Sequence, residues 1–307
     1  MKLIRGLSAL SDCRRPTIAS IGSFDGVHLG HRTMISHMMA LAAQQHLHPT
    51  LITFEPTPKE FFMGAEAPAR LSTFREKIQY LDVLGIDQLV CLRFNQSLAT
   101  MSPEHFIQDI LVDGLQLRHL IVGDDFRFGK DRQGDSELLA KKGREHNFVV
   151  QDTDTISHES DRISSTRIRE ALAQNRFRLV EQLLGRPYEM SGRVGHGDKR
   201  GRSIGFPTAN ISLGKRKSPI QGVFIVKVFS GGKQWAGMAN IGTRPTVNGQ
   251  QNRIEAHLFN CDENLYGQRL RVQFLEKIRD EVKFDSIDAL KEQIHLDKIA
   301  AQNYFGL

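Results

Sequence analysis

Between Thr17 and Leu184 the chain alternates short apolar, β-branched runs with stretches of helical period, and this alternation restricts the fold of its 307 residues more than any other feature. Strands are expected at 17–21, 50–54, 88–93, 119–122 and 148–151, with helices near 32–46, 73–84, 102–115 and 136–146. Ser102-Pro103-Glu104 marks one helix start, with Ser as the cap and Pro in the first helical position. Strands separated by helices pair in parallel, so a doubly wound parallel sheet with helices on both faces is expected. The Gly-x-Gly-x-x-Gly fingerprint is absent, which disfavours a redox dinucleotide fold.

The texture changes at Leu184-Gly185-Arg186-Pro187, where a helix near 177–184 meets a glycine stop and a proline block. Beyond it, runs at 188–194, 222–229, 235–241, 253–259 and 268–275 read as strands between turns at Ser230-Gly231-Gly232, Asn248-Gly249 and Tyr266-Gly267. Short strands with little helix between them predict a small closed β-barrel. A last helix starts at Ser286, with Ile287, Leu290 and Ile294 as its apolar face. The expected class is α/β plus β, divided into residues 1–185 and 186–307.

Lys and Arg exceed Asp and Glu to a net charge of +6. The excess is spread out, and its densest patches, Lys199 to Arg202 and Lys215 to Lys217, lie in glycine-containing loops that suit a nucleotide's phosphates, so nucleic acid is not expected as a partner. Cys13, Cys91 and Cys261 are far apart and odd in number, which suggests neither a disulfide framework nor a zinc motif and fits a reducing cytoplasm. No run approaches the ~18 apolar residues of a membrane helix, and residues 1–10 are too short and polar for a secretory core, so no membrane segment is expected. Oligomeric state leaves no mark in the sequence.

Ligands of open α/β sheets bind beyond the carboxyl ends of the strands. Four unusual stretches stand there: Gly22 to His31, Phe54 to Pro58, Gly123 to Gly129 and Ile163 to Arg169. The first is a strand-to-helix turn whose glycines let backbone approach a ligand and whose following helix aims unpaired N–H groups and a positive dipole end into the turn. His28 and His31 reach one side of it and can donate to phosphate oxygens. In the last stretch hydroxyls precede a helix, and Arg169 adds a cation; taken alone, Ser164 to Thr166 is an ordinary N-cap. Phe126 and Phe128 beside Asp124 and Asp125, with Phe54 or Phe62, are either core residues or stacking faces for a planar heteroaromatic ligand.

In the second half, Gly195 to Arg202 leads into Gly205-Phe206-Pro207-Thr208-Ala209-Asn210. Neither Gly214-Lys215 nor Gly232-Lys233 is followed by Ser or Thr, so no Walker A motif exists and phosphate binding rests on loop N–H groups and side chains. Thr208 and Asn210 are hard oxygen donors two apart on an extended segment, able to ligate Mg²⁺; the same stretch also reads as a Pro-containing turn capped by Thr and Asn. Strand alternation puts Glu255 on the face of Arg253 and His257.

His28-Leu29-Gly30-His31 resembles the His-x-Gly-His signature of nucleotidyltransferases, and Ile163-Ser164-Ser165-Thr166-Arg167-Ile168-Arg169 resembles its partner motif. Pro207-Thr208-Ala209-Asn210 resembles the riboflavin kinase motif, with further matches at 239–246, 255–258 and 265–267. Over essentially its whole length the chain is similar to the bacterial bifunctional riboflavin kinase and FMN adenylyltransferase family, the FAD synthetases; Ser23 and Phe224 depart from its usual Asn and Tyr. The resemblance implies two ATP-dependent steps, riboflavin to FMN and FMN to FAD. It implies ATP and phosphate binding at Gly22, Phe24, Gly30, Ser164, Thr166, Gly195, Gly197, Lys199 and Gly205. His28, His31 and Arg169 would serve adenylyl transfer and Glu255 would be the base of the kinase step. Flavin would bind at Phe62, Asp125, Phe126 and Phe128, and Mg²⁺ at Thr208 and Asn210. An RNA-directed nucleotidyl enzyme is the main rival, disfavoured because the barrel stretch shows glycines, Thr208, Asn210 and Glu255 rather than a row of exposed aromatics. A flavin-binding regulator without catalysis is disfavoured by the presence of the catalytic groups.

Overall fold

The computed structural model describes residues 1–12, 15–153, 157–159, 161–196, 205–214, 217–246 and 249–307. The chain divides into two compact units, residues 1–68 with 73–164, and residues 69–72 with 165–307.

In the first unit, β1 (Lys2–Arg5), β2 (Thr17–Ile21), β3 (His48–Phe54), β4 (Gln88–Leu92), β5 (Leu117–Gly123) and β6 (Val149–Thr153) form a parallel sheet in the order β1-β4-β3-β2-β5-β6. The chain steps from β2 through β3 to β4, then crosses to β5 and β6 on the other side. The neighbours β2 and β5 therefore mark the reversal point, where the crevice of such sheets opens. The helices are α1 (Leu29–Gln45), α2 (Pro58–Met63), α3 (Phe74–Val83), α4 (Gln96–Ala99), α5 (Pro103–His105) and α6 (Ser136–His146). α5 runs on as a π-helical stretch, Phe106–Val112. Their starts follow sequence chemistry: Ser102 caps α5, Asp135 caps α6, and Thr73 with Glu76 forms a reciprocal capping box on α3. Successive strand residues feed opposite cores. Ile18, Leu51, Leu89 and Ile121 pack with Ile35, Met38 and Leu81, whereas Ala19, Ile52, Val90 and Leu120 pack with Phe106, Ile110 and Leu139. Both faces of the sheet are thus buried, as its near-continuous apolar strands require. A small hairpin of β7 (Ser157–His158) and β8 (Asp161–Arg162) follows β6.

The second unit holds α7 (Ser165–Ala173), α8 (Phe177–Leu184), β9 (Glu189–Gly195), β10 (Ala209–Ser212), β11 (Gly222–Ser230), β12 (Lys233–Thr246), β13 (Gly249–Leu258), β14 (Arg269–Arg279) and α9 (Ile287–Phe305). The strands close an antiparallel barrel, β10-β13-β12-β11-β14-β9. Ile211, Ile254 and Ile241 are directly paired across three strands and fully buried, which identifies their face as the interior. α9, capped by Ser286, covers the outside of β11, β12 and β14, with Ala301 against Ile225, Met238 and Phe259. A two-pronged ion pair fixes it: Arg279 Nε and Nη2 reach the buried Asp297 carboxylate at 2.9 and 2.7 Å.

Gly185 closes α8 in the left-handed conformation (φ 68°), as the Gly-x-Pro boundary predicts. The compact units nevertheless divide at 164/165 rather than 185/186. Phe177, Val180, Leu183 and Leu184 form the buried face of α8, which packs on β14, and Phe177 meets Phe224 edge-on at 5.8 Å. Among the described residues no helix is long and apolar enough to cross a membrane.

Candidate active sites

The turn after β2 is strained. Phe24 (φ 47°) and the β-branched Val27 (φ 42°) both occupy the left-handed region, and both are 1% exposed. Such backbone is held only where the surroundings enforce it, and it concentrates at functional sites. The glycines serve close approach: a Cβ on Gly22 would lie 3.2 Å from the Phe24 ring, and one on Gly30 would lie 3.2 Å from His28 Nδ1 and 3.4 Å from the Ile163 carbonyl oxygen. This brings the Ile163-Ser164 segment beside the turn.

His28 is the N-cap of α1 and His31 lies in its first turn, their rings stacked at 3.6 Å and 17°. The His31 backbone N–H donates to His28 Nδ1 at 3.3 Å. A neutral His28 must then carry its proton on Nε2, a donor of the kind that a phosphate oxygen accepts. Phe24 supports His31 edge-on at 5.3 Å. Burial, then the neighbouring His28 and the Lys77 charge, hold the His31 imidazole well below its ordinary pKa, so it is neutral at physiological pH. Thr166 and Arg169 are counted with the second unit, where Arg169 Nε donates to the Ala69 carbonyl oxygen at 2.6 Å.

The aromatic residues separate by environment. Phe128 is buried, packed on Phe106 at 5.4 Å, and pinned by a bridge to Gly134; Phe126 stacks on it at 5.5 Å and is half-exposed. Asp125 is exposed, and Arg162 pairs with Asp124 at 3.0 Å and with Asp125 at 3.4 Å. Phe62 is 68% exposed and joins Phe61 and Phe94 edge-on, with Phe54 behind at 5.7 Å from Phe94.

On the barrel, pairing draws the site residues into a row. Gly195, Asn210, Glu255 and Asn240 stand directly opposite one another across β9, β10, β13 and β12. Because directly paired residues share a face, this row lies on the outer face, alternating with the buried isoleucine row. Two cavities flank it. One of about 460 Å³ is lined by Thr208, Asn210, Cys261, Glu263 and Tyr266, and one of about 310 Å³ by Thr208, Asn240, Glu255, His257 and the inner side of α9. Thr208 stands in both walls. Asn210 Oδ1 accepts from Arg253 Nη1 at 3.3 Å, and its Nδ2 donates to the Thr208 carbonyl oxygen at 3.2 Å. Gly205 is exposed with φ +91° and no neighbour within 4 Å of a Cβ; Gly197 and Lys199 lie outside the described residues.

Residues not singled out from sequence also build these sites. Lys77 is 2% exposed, its Nζ 3.4 Å from Thr53 Oγ1, and its charge reaches His31. The signal for it is a lysine inside the apolar stripe Phe74, Ile78 and Leu81 of α3. Phe61 and Phe94 carry no such signal, because only tertiary structure brings α2 to the end of β4.

Residues 10–167 match the FAD synthetase family and residues 184–305 the riboflavin kinase family. The bifunctional riboflavin kinase/FMN adenylyltransferase of Escherichia coli K12 is 46% identical over 309 residues, covering 100% of this chain and 99% of that protein. Its counterpart in Haemophilus influenzae is 44% identical over 307 residues, with 100% of both chains covered. Among solved structures, a Streptococcus pneumoniae protein described as a macrolide-efflux protein superposes with a TM-score of 0.82 at 27% identity, covering 99% of each chain.

Proposed function

Since this chain belongs to the family of bifunctional riboflavin kinases and FMN adenylyltransferases, we infer that it makes FAD from riboflavin in two ATP-dependent steps. The observation that carries the residue-level reading of the first step is Thr208 in the walls of both barrel cavities. A nucleotide in the larger cavity and a flavin in the smaller one would meet there. Glu255, in the wall of the smaller cavity, takes the proton of the terminal ribityl hydroxyl as its oxygen bonds to the γ-phosphorus of ATP and ADP departs. Thr208 and Asn210 offer hard oxygen donors that fit Mg²⁺ shared with phosphates, and the ion bound there would neutralise charge on the transferring group.

In the second step an FMN phosphate oxygen attacks the α-phosphorus of ATP and pyrophosphate leaves. This nucleophile is already anionic, so the site must align and stabilise charge rather than remove a proton. His28 Nε2–H, His31, the α1 N-terminus and Ser164 supply donors at the β2 turn; Thr166 and Arg169 are assigned to the same step. Phe62 and Phe126 are assigned to the flavin ring, with Phe128 as the support beneath Phe126. Neither step needs nucleic acid or a membrane. Incubation with riboflavin and Mg-ATP, followed by chromatography, tests the reading: FMN should appear first and FAD after it, and unchanged riboflavin would overturn it.

A further inference from the structure

Asn240 lies beside Glu255 in the cross-strand row and lines the smaller barrel cavity. Its amide has one orientation. Nδ2 donates to Glu281 Oε1 at 2.8 Å, and because a carboxylate offers only acceptors, the Asn240 carbonyl must turn the other way. Oδ1 is buried with no hydrogen-bond partner among the described residues, an unfavourable state for an acceptor unless a ligand supplies the donor. Glu281 reaches its place because Gly242, next on the same face of β12, has no side chain; a Cβ there would run into the Glu281 carboxylate.

We propose that Asn240 is a specificity residue of this cavity, its Oδ1 accepting a hydrogen bond from a hydroxyl of the substrate's polyol chain, and that Glu281, seated over Gly242, is the positioning residue that keeps this acceptor turned inward. The proposal rests on reading the cavity as the riboflavin site of the kinase. It makes the barrel select flavins by their polyol and not by the ring alone, since a site built to pair a substrate hydroxyl rejects an analogue lacking it.

The test is steady-state phosphorylation of riboflavin by the full chain, with lumiflavin, which carries a methyl group in place of the polyol, as competitive inhibitor. Asn240→Ala should raise the riboflavin KM roughly tenfold, the scale of one lost hydrogen bond, and leave the lumiflavin inhibition constant within about twofold. Glu281→Leu and Gly242→Ala remove or displace the carboxylate and should raise KM in the same direction. Glu281→Gln, whose carbonyl still accepts from the Asn240 amide, should restore most of it. If Asn240→Ala does not fold, Gly242→Ala carries the test, because its backbone is not in the left-handed region. Equal losses for riboflavin and lumiflavin, or an unchanged riboflavin KM, overturn the proposal. Glu255→Gln separates it from the underlying reading: if neither Glu255→Gln nor Asn240→Ala changes the kinase rate or the riboflavin KM, the cavity is not the riboflavin site and both are overturned, whereas a collapsed rate in Glu255→Gln together with an unchanged KM in Asn240→Ala overturns the proposal alone.

Discussion

The imidazole of His257 holds the carbonyl oxygen of Pro207 through a 2.8 Å hydrogen bond from Nδ1. A carbonyl can only accept, so the Nδ1 tautomer is set by this contact. Pro207 precedes Thr208, and the bond therefore ties the segment carrying the shared wall of the two cavities to the strand carrying Glu255. Phe206 and Phe259 pack edge-on against the same ring at 5.6 and 5.8 Å. His257→Ala should lower riboflavin phosphorylation about tenfold by loosening Thr208, while conversion of supplied FMN to FAD continues. Paired initial rates decide: a joint fall in a folded variant would rule out a local effect on the barrel.

Removing a donor from the β2 turn should act on the other step. In His28→Ala or His31→Ala, FAD formation from FMN should fall on the order of a hundredfold, the scale for one lost oxyanion donor. Riboflavin should still become FMN at the parent rate. Loss of both activities in a folded protein would sink the assignment of these rings to adenylyl transfer.

Glu255→Gln keeps the side chain's shape and removes its basicity. Phosphorylation of riboflavin should drop roughly a hundredfold or more, whereas adenylylation of FMN, whose nucleophile carries its own charge, should be unaffected. Measurement of both rates with a melting curve excludes misfolding, and unimpaired phosphorylation would remove Glu255 as the base.

Acid should weaken the fold through three histidines. His31, His119 and His257 all have pKa values lowered from 6.5, in each case chiefly by burial. His119 is 5% exposed, between Gln45 and Gln151. Above 6.5 these rings are neutral folded and unfolded, so they contribute no pH dependence. Below it the unfolded chain takes up protons that the folded chain refuses, and stability falls until the lowered folded values are reached. Denaturant melts at pH 7.5 and 5.5 should show lower stability at the acid value, and His119→Gln should narrow the gap. An unchanged gap would exclude His119 as a contributor.

Fragments test what α8 does for the barrel. Residues 165–307 should fold and be more stable than residues 186–307, because Phe177, Val180, Leu183 and Leu184 each bury apolar surface worth about 1.5–3 kcal/mol per fully buried side chain. The kinase residues proposed above all lie beyond 186, so both fragments should phosphorylate riboflavin if folded. Equal melting temperatures would show that α7 and α8 are not part of the barrel's folding unit.

Residue order alone determined the features that depend on neighbours along the chain. The period of each apolar run specified the parallel sheet, Ser102 and Ser286 specified helix starts, and Gly185 specified a helix end, because capping and pleat act within a few residues. The same local logic placed His28 and His31 at a helix start and Glu255 on the outer strand face. What required the folded chain was pairing between distant segments. β10, only four residues long, has too little pattern to read as a strand, and its register is fixed by partners in β9 and β13. That register puts Asn210 and Asn240 on either side of Glu255, and no spacing in the sequence encodes it. Tertiary packing also buried Phe128 while leaving Phe126 half-exposed and Phe62 exposed, drew Lys77 inward toward His31, and gathered residues 165–184 with the barrel. The physical reason is the same in each case: side-chain burial and strand register are energies of contact between segments far apart in sequence, and they take a value only once the chain has closed on itself.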